Sequence, residues 1–338
     1  MLRLTDCAEK PVVGFGELLL RLSPPTGELP LQSPHLAVHV GGAEANVLVG
    51  LARLGHATRL VSAVPPGPVG DAARAGVARW GVDIGHVATA DGRMGLYYLI
   101  PGAGLRASEV VYDRAGSAFA ERESGAWDWD AALAGAGHLH LSGITPALGE
   151  AACAATLAAA RAARARGMTV SFDGNYRAKL WQRWAGDPVT SLRALVAEAD
   201  ILFGDHRDIA LLLGTPASPD DAVAAAFEAF ANLTLIASTT REVVDARHHR
   251  IAARVDLRGG EAGRAGPVAL TDIVDRIGGG DAFAAGVLHA LIEGEDAQGA
   301  AMAGLGLAAL KHSLMGDASL FTRADLAAFS LTGGDVRR

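Results

Sequence analysis

The chain has 338 residues, half of them apolar, which allows a sizeable packed core in one large α/β domain with a small appendage. Its 30 basic and 37 acidic residues leave a net charge of -7, which speaks against nucleic acid as a bulk electrostatic partner but allows a local arginine cluster around a small anion. Cys7 and Cys153 are far apart and have no metal spacing, residues 1–10 carry Asp6 and Glu9 in place of a signal peptide's apolar run, and no stretch is long enough to span a bilayer. A soluble, cytoplasmic protein is expected.

Val12 to Gly16 reads as a buried first strand, and Leu18 to Leu22 stays extended until Ser23-Pro24-Pro25 breaks it. Leu36 to Val40 alternates as a half-exposed strand. Gly41-Gly42-Ala43-Glu44-Ala45-Asn46 opens a helix that runs through Leu54 and stops at Gly55. Thr58 to Ala63 is a strand, and Gly70 to Trp80 is a helix closed by Gly81. Gly95 to Pro101 and Ser108 to Arg114 alternate apolar and polar residues around a Gly-rich turn. Residues 17–40 and 94–118 are therefore expected to form a small antiparallel sheet standing off the main body. Such a sheet buries little alone. It should cover a site or pair with the same sheet in another subunit.

From Trp127 onward strands and helices alternate. Strands are expected at Gly137 to Leu141, Met168 to Asp173, Asp200 to Phe203 and Leu233 to Ser238. Helices are expected at Glu150 to Arg166, Asp205 to Leu213, Pro219 to Ala231, Gly280 to Ile292 and Ala297 to His312, with a hairpin over Val243 to Val255. Repeated βα units imply a mostly parallel sheet with helices on both faces. Ligands then lie at the carboxyl ends of the strands.

Three glycines meet an acid at Ile277-Gly278-Gly279-Gly280-Asp281-Ala282-Phe283, where an Ala-rich helix begins. Glycine leaves backbone N–H groups accessible where a side chain would block them. The helix N-terminus adds unpaired donors and partial positive charge, which suit a phosphate. Asp281 is placed to take a proton from a hydroxyl, and an anion cradle plus a base is most of what phosphoryl transfer needs. The same residues also read as a turn and a helix cap, and this stretch alone does not separate the two.

The Walker-A pattern is absent, and Gly14-Phe15-Gly16 is followed by Leu19 where a dinucleotide fingerprint needs glycine. Gly14 and Gly16 instead suit a strand that runs close to a neighbour. Gly41-Gly42 with Asn46 suits a polyhydroxylated ligand; helix capping, with Asn46 facing solvent, is the alternative. Arg177, in Phe172-Asp173-Gly174-Asn175-Tyr176-Arg177, and Arg114 carry the fork that takes a carboxylate or phosphate. Each also reads as a surface charge. Tyr97 and Tyr112 either pack over a ligand or fill the small sheet's inner face. Asp205 and Asp208 suit Mg²⁺, directly or through water, and equally a helix's first turn. His138 and His140 are expected to face the core or a hydrogen-bond partner, and His248-His249 to lie in an exposed turn.

Gly41 to Asn46 and Ile277 to Phe283 resemble the two signature motifs of the PfkB, or ribokinase-like, family of sugar kinases, and the likeness runs from about Val12 to Leu326. It implies a three-layer α/β/α sandwich with a mostly parallel central sheet, in a single domain over 1–338 whose small β-sheet lid comes from about 17–40 and 94–118. Gly95 to Tyr97, Arg114 to Ala118, Leu141 to Pro146, Phe172 to Arg177 and Gly316-Asp317 are similar to kinases of 2-keto-3-deoxygluconate within that family.

By this resemblance Asp281 is the base, and the amides of Gly278, Gly279 and Gly280 form the anion hole. Gly41, Gly42, Asn46, Tyr97, Tyr112, Arg114, Ile144 and Arg177 would contact the sugar acid. Ser238 and Thr240, with Gly278 and Gly280, would contact the nucleotide. Asp205 and Asp208 would hold Mg²⁺. ATP and Mg²⁺ are the implied cofactors, and a monovalent cation such as K⁺ is left open. The partners are a sugar acid and ATP, with no nucleic acid or membrane, in a homo-oligomer joined through the lid. Departures from the family are Gly279 where alanine is usual and Asp205-His206-Arg207-Asp208 where Asn-x-x-Glu is common. Ser238-Thr239-Thr240 replaces Lys-x-Gly, and Arg276 replaces Thr or Pro. A neutral-sugar or nucleoside kinase and a non-catalytic sugar-binding relative are the alternatives.

Overall fold

Strands that are apolar on every residue need cover on both faces, as in parallel sheets. The first strand, β1 (Val12–Phe15), is of this kind, with all four residues buried. The computed structural model describes residue 4 and residues 7–214 and 218–331. The expected domain over 1–338 therefore extends outside the described residues. After β1 come β2 (Leu19–Ser23), β3 (Ala37–Gly41), α1 (Ala43–Arg53), β4 (Thr58–Val64), α2 (Pro68–Ala78) and β5 (Val82–Thr89). Next are β6 (Gly95–Ile100), β7 (Glu109–Asp113), α3 (Trp129–Ala132), β8 (His138–Ser142), α4 (Glu150–Ala165) and β9 (Thr169–Asp173). Then follow α5 (Ala178–Trp181), α6 (Pro188–Val196), β10 (Ile201–Phe203), α7 (His206–Leu213), α8 (Pro219–Ala229) and β11 (Leu235–Val243). The last elements are β12 (His249–Leu257), β13 (Gly263–Leu270), α9 (Gly279–Ile292), α10 (Ala297–Lys311) and α11 (Arg323–Ala327).

Nine strands form the main sheet in the order β13-β12-β11-β10-β9-β8-β1-β4-β5. Pairing is parallel from β11 to β5, and β12 and β13 add an antiparallel edge. Successive residues of each strand enter opposite cores. Val12, Leu60, Ile201 and Leu235 pack with Leu48, Val287 and Leu305 from α1, α9 and α10. Val13, Val61, Leu202 and Ile236 pack with Ala159, Leu195 and Ile209 from α4, α6 and α7. The result is a three-layer α/β/α sandwich. Each large aliphatic side chain buried this way contributes about 1.5–3 kcal/mol. Strand order reverses beside β1, and the crevice at the carboxyl ends there is where such sheets bind ligands.

Strands β3-β2-β6-β7 make a separate four-stranded sheet. It is not antiparallel throughout, as expected from alternation: β2 and β6 pair in parallel. Alternation reports which face a residue occupies, not the direction of its neighbour, and here β4, α2 and β5 intervene between the two strands. Six elements escaped the sequence reading, among them the short helices α3, of four residues, and α11, of five. Edge strand β5 mixes exposed residues with Gly85, β13 holds Gly266-Pro267, and α6 mixes Pro188, Val189 and Thr190 into a short helix; α5 is a single turn. The expected strand at Leu233 to Ser238 runs on to Val243 and forms the hairpin with β12. His138 and His140 are buried as expected, while His249 is buried against expectation, because β12 turns it inward. Gly14 and Gly16 admit α1: a Cβ on Gly16 would lie 2.0 Å from the Glu44 carboxylate. No described helix is long and apolar enough to cross a membrane.

Candidate active site

Helix α9 starts without a side-chain cap. Its N-cap, Gly278, has φ 77°, a conformation that favours glycine, and a Cβ there would sit 1.6 Å from the Asp317 carbonyl oxygen. That contact presses the 278–281 turn against the loop carrying Asp317. Asp281 follows in the first helical turn, where the Asn46 amide of α1 donates to its carboxylate at 2.7 Å. Asn46 is therefore a positioning partner and not a solvent-facing cap. Burial, opposed by the Asn46 bond and reinforced by Asp317 and Glu44, pushes the Asp281 carboxyl up to about 7.

Around Asp281 lies a cavity of about 950 Å³, lined by Gly42, Asn46, Tyr97, Tyr112, Arg114, Ile144, Arg177, Asp205, Asp208, and Gly278 to Asp281. That volume suits a drug-sized ligand. Tyr97 and Tyr112 face each other across β6 and β7. The Tyr97 hydroxyl donates to Asp317 at 2.6 Å. Arg114 is buried, with its Nε on Glu17, which also accepts from Ser117. Arg177 is exposed at the rim, where it bonds only the Tyr176 carbonyl among the described contacts. Gly41 lies off the cavity wall; a Cβ there would stand 2.3 Å from Asp317, so its role is to let that acid approach.

Two expected groups are placed differently from their expected roles. Ser238 and Thr240 lie on β11 but not on the cavity wall; Arg241, from the same strand, does line it. Asp205 caps α7, accepts from the Arg207 and Asp208 N–H groups and pairs with the Arg207 guanidinium, while Asp208 accepts from the Asp205 N–H at 2.9 Å. Both carboxylates are thus engaged by their own helix start. Asp208 keeps its place on the wall beside Asp173, whose carboxyl is pushed up to about 7 by burial and then by the charges of Asp281 and Asp208. Burial raises the Asp208 carboxyl as well, and Asp173 and Asp208 together offer oxygen donors that suit a divalent cation, directly or through water.

Asp173, Glu44, Asp317, Arg241 and Arg276 were not singled out as site residues from sequence. Glu44 is buried inside the Gly41 to Asn46 motif, accepts from Thr145 Oγ1 at 2.6 Å, and is pushed up to about 7 by burial. Asp317 follows Gly316 in a stretch the resemblance had marked. Arg276 stood out as a departure from the usual Thr or Pro. Arg241 is held below the usual guanidinium range by burial and then by Arg276 and Arg207. These three arginines line one end of the cavity, and the helix N-terminus adds its donors there. Gly279 also gains a reason. A Cβ there would lie 2.7 Å from Cε1 of the His312 ring, which fills the space where the usual alanine would put its methyl group.

The pattern of the pfkB family carbohydrate kinases matches residues 10–322. The chain belongs to this family. Over 325 residues it is 33% identical to a Haloferax volcanii 2-dehydro-3-deoxygalactonokinase, covering 96% of this chain and 98% of that one. The crystal structure of Thermotoga maritima 2-dehydro-3-deoxygluconokinase is 33% identical, with a TM-score of 0.88 over 94% of this chain and 98% of that chain. An E. coli protein described as a ribokinase II, solved in complex with ATP and Mg²⁺, is 19% identical with a TM-score of 0.81, covering 95% and 98%. This pfkB member is a sugar kinase, a phosphotransferase acting on a sugar hydroxyl.

Proposed function

We propose that the chain transfers the γ-phosphoryl group of ATP to the terminal hydroxyl of a 2-keto-3-deoxy sugar acid, 2-keto-3-deoxygluconate first. The relatives whose names carry a gluconate and a galactonate acceptor support the acid and leave the configuration at one carbon for assay. The observation that carries the reading is Asp281, set by Asn46 at the start of α9 in a cavity that also holds Arg114 and Arg177. Arg177, at the rim, offers a guanidinium fork to a sugar carboxylate, and Arg114 adds positive charge while its Nε stays on Glu17; a neutral sugar has no use for that fork.

Asp281 accepts the proton of the acceptor hydroxyl as its oxygen bonds to the γ-phosphorus, and the bond to the β–γ bridging oxygen breaks to release ADP. The Gly278 to Gly280 amides and the helix behind them stabilise the charge on the transferring group. Arg241, Arg276 and Arg207 hold the nucleotide phosphates. Asp208 and Asp173 would hold Mg²⁺, directly or through water, and the ion would neutralise phosphate charge. The small sheet acts as a lid that excludes water and limits ATP hydrolysis. Val38 and Val111, exposed on that sheet, serve as contacts between copies in a homo-oligomer; Val38→Asp should lower the mass measured by sedimentation, and an unchanged mass would remove the role. A cytoplasmic location belongs to the same reading, since two cysteines far apart in the sequence make no disulfide framework.

The test is coupled ADP release over 2-keto-3-deoxygluconate, its galactonate epimer, neutral sugars and nucleosides. Preference for a neutral sugar or nucleoside, with the keto acids inert, overturns the substrate. Arg177→Ala should raise KM for the acid roughly 10–100-fold, the cost of a lost charge-assisted hydrogen bond, while leaving KM for ATP alone.

A further inference from the structure

Lys311 ends α10 and is fully buried, yet it does not line the cavity. A buried ammonium costs several kcal/mol unless oxygen partners replace its water. Its partners here are two backbone carbonyls: Nζ donates to Leu314 O at 3.0 Å and to Asp275 O at 3.3 Å. Asp275 opens the loop that runs into Gly278, Gly279 and Gly280, and Leu314 opens the loop that runs to Gly316 and Asp317.

Those two loops are tied to each other. The Gly316 N–H donates to the Asp275 carboxylate at 3.1 Å, and the Ile277 N–H donates to the same carboxylate at 3.0 Å. Gly278 rests against the Asp317 carbonyl. Arg21, from β2 of the small sheet, reaches Asp275 at 2.7 Å and Asp317 at 3.1 Å. Carbonyl oxygens backed by carboxylates are the ligand set that takes an alkali cation. Here that oxygen cluster already holds an ammonium. Burial pulls Lys311 down to about 8, while the charges of Asp275, Asp317 and Asp281 oppose the fall.

The sequence left open a monovalent cation such as K⁺. The residues around the anion-hole loop do not fit one, because Lys311 occupies the oxygen cluster. We propose that Lys311 is a tethered monovalent cation, a positioning residue that joins the 275–278 and 314–317 loops and frees turnover from added K⁺. The proposal rests on the kinase reading and not on a particular acceptor.

The test uses the full chain in buffers whose only small monovalent cation is tetramethylammonium, with KCl or NH₄Cl replacing it at equal ionic strength. Wild-type turnover, on the acceptor giving the most ADP release, should be unchanged by either salt. Lys311→Met should lose about tenfold or more in kcat, equivalent to 1.4 kcal/mol, with a smaller change in KM. K⁺ or NH₄⁺ should restore kcat, and tetramethylammonium should not. A loss of packing alone is not rescued by a small cation. The melting temperature of the ligand-free variant should also rise with K⁺ while that of the wild type stays fixed. This readout needs no acceptor, so it separates failure of this proposal from failure of the substrate reading. Wild-type activation by K⁺, an unrescued variant, or a variant with wild-type kcat overturns the proposal. If the variant does not fold, the wild-type salt comparison alone decides.

Discussion

Where the small sheet walls the cavity, buried charges meet opposite charges within the protein. Arg114 meets Glu17, Arg21 meets Asp275 and Asp317, and Tyr97 donates to Asp317. At the other end Arg241 is depressed by burial and then by the charges of Arg276 and Arg207 nearby. The first arrangement fixes geometry before a ligand arrives, since breaking a buried pair strands a charge. In the second, Arg207 is already paired with Asp205, while Arg241 and Arg276 sit near each other and an entering anion lowers their repulsion. One end is pre-organised and the other is pre-charged. Asp281 stands between them, held by Asn46 of α1 and at the helix N-terminus that serves the second.

The harshest way to break this division is Asp281→Asn. Turnover should fall about 10²–10⁴-fold, the usual worth of a positioned base, with KM for the sugar kept. The comparison also gives a sign for stability. Folding raises this carboxyl from the ordinary range to about 7, so the folded state binds more protons than the unfolded state between those values. Folded-state stability therefore falls as pH rises through that window, and the Asn variant should melt higher than wild type at pH above 7. A variant that keeps turnover, or that melts lower, contradicts the assignment.

The same shift gives the pH profile. The base must be ionised, so kcat/KM should rise about tenfold per pH unit below about 7 and level off above it. A profile flat from pH 5 to 8 would mean that another group governs the proton.

The pre-charged end is tested by Arg241→Ala and Arg276→Ala. Each should raise KM for ATP by roughly tenfold, the cost of one charge-assisted bond, while sugar KM stays constant. A matching rise in sugar KM would erase the division between the two ends. Away from turnover and binding, Gly279→Ala should cost about 1–3 kcal/mol of stability from overpacking against His312, measured by denaturant melts. Pairing it with His312→Ser should return most of that loss; additive losses would remove the steric account.

Some of the site was legible because its signals are local. Gly278 to Asp281 at a helix start, the Gly41 to Asn46 turn and the arginines after or within strands are each a few residues long. Asp317 was visible only as part of a stretch. Arg276 was seen only as a departure from the usual Thr or Pro, which says nothing alone about a phosphate. Ser238 and Thr240 were placed by motif position, yet the β11 backbone presents Arg241 at the wall in their place.

By itself, then, the sequence determined the alternation of strands and helices, the two-faced burial of the main sheet and the glycine-rich start of α9. These follow from periodicity and from what glycine permits within one turn. Tertiary structure alone decided the parallel pairing of β2 with β6, the approach of Asn46 to Asp281 across 235 positions and that of Arg21 to Asp275 across 254. It also decided that Gly279 makes room for His312 and that Lys311 fills an oxygen cluster. Each of these is a contact between distant segments, and no local pattern carries the direction or the partner of such a contact.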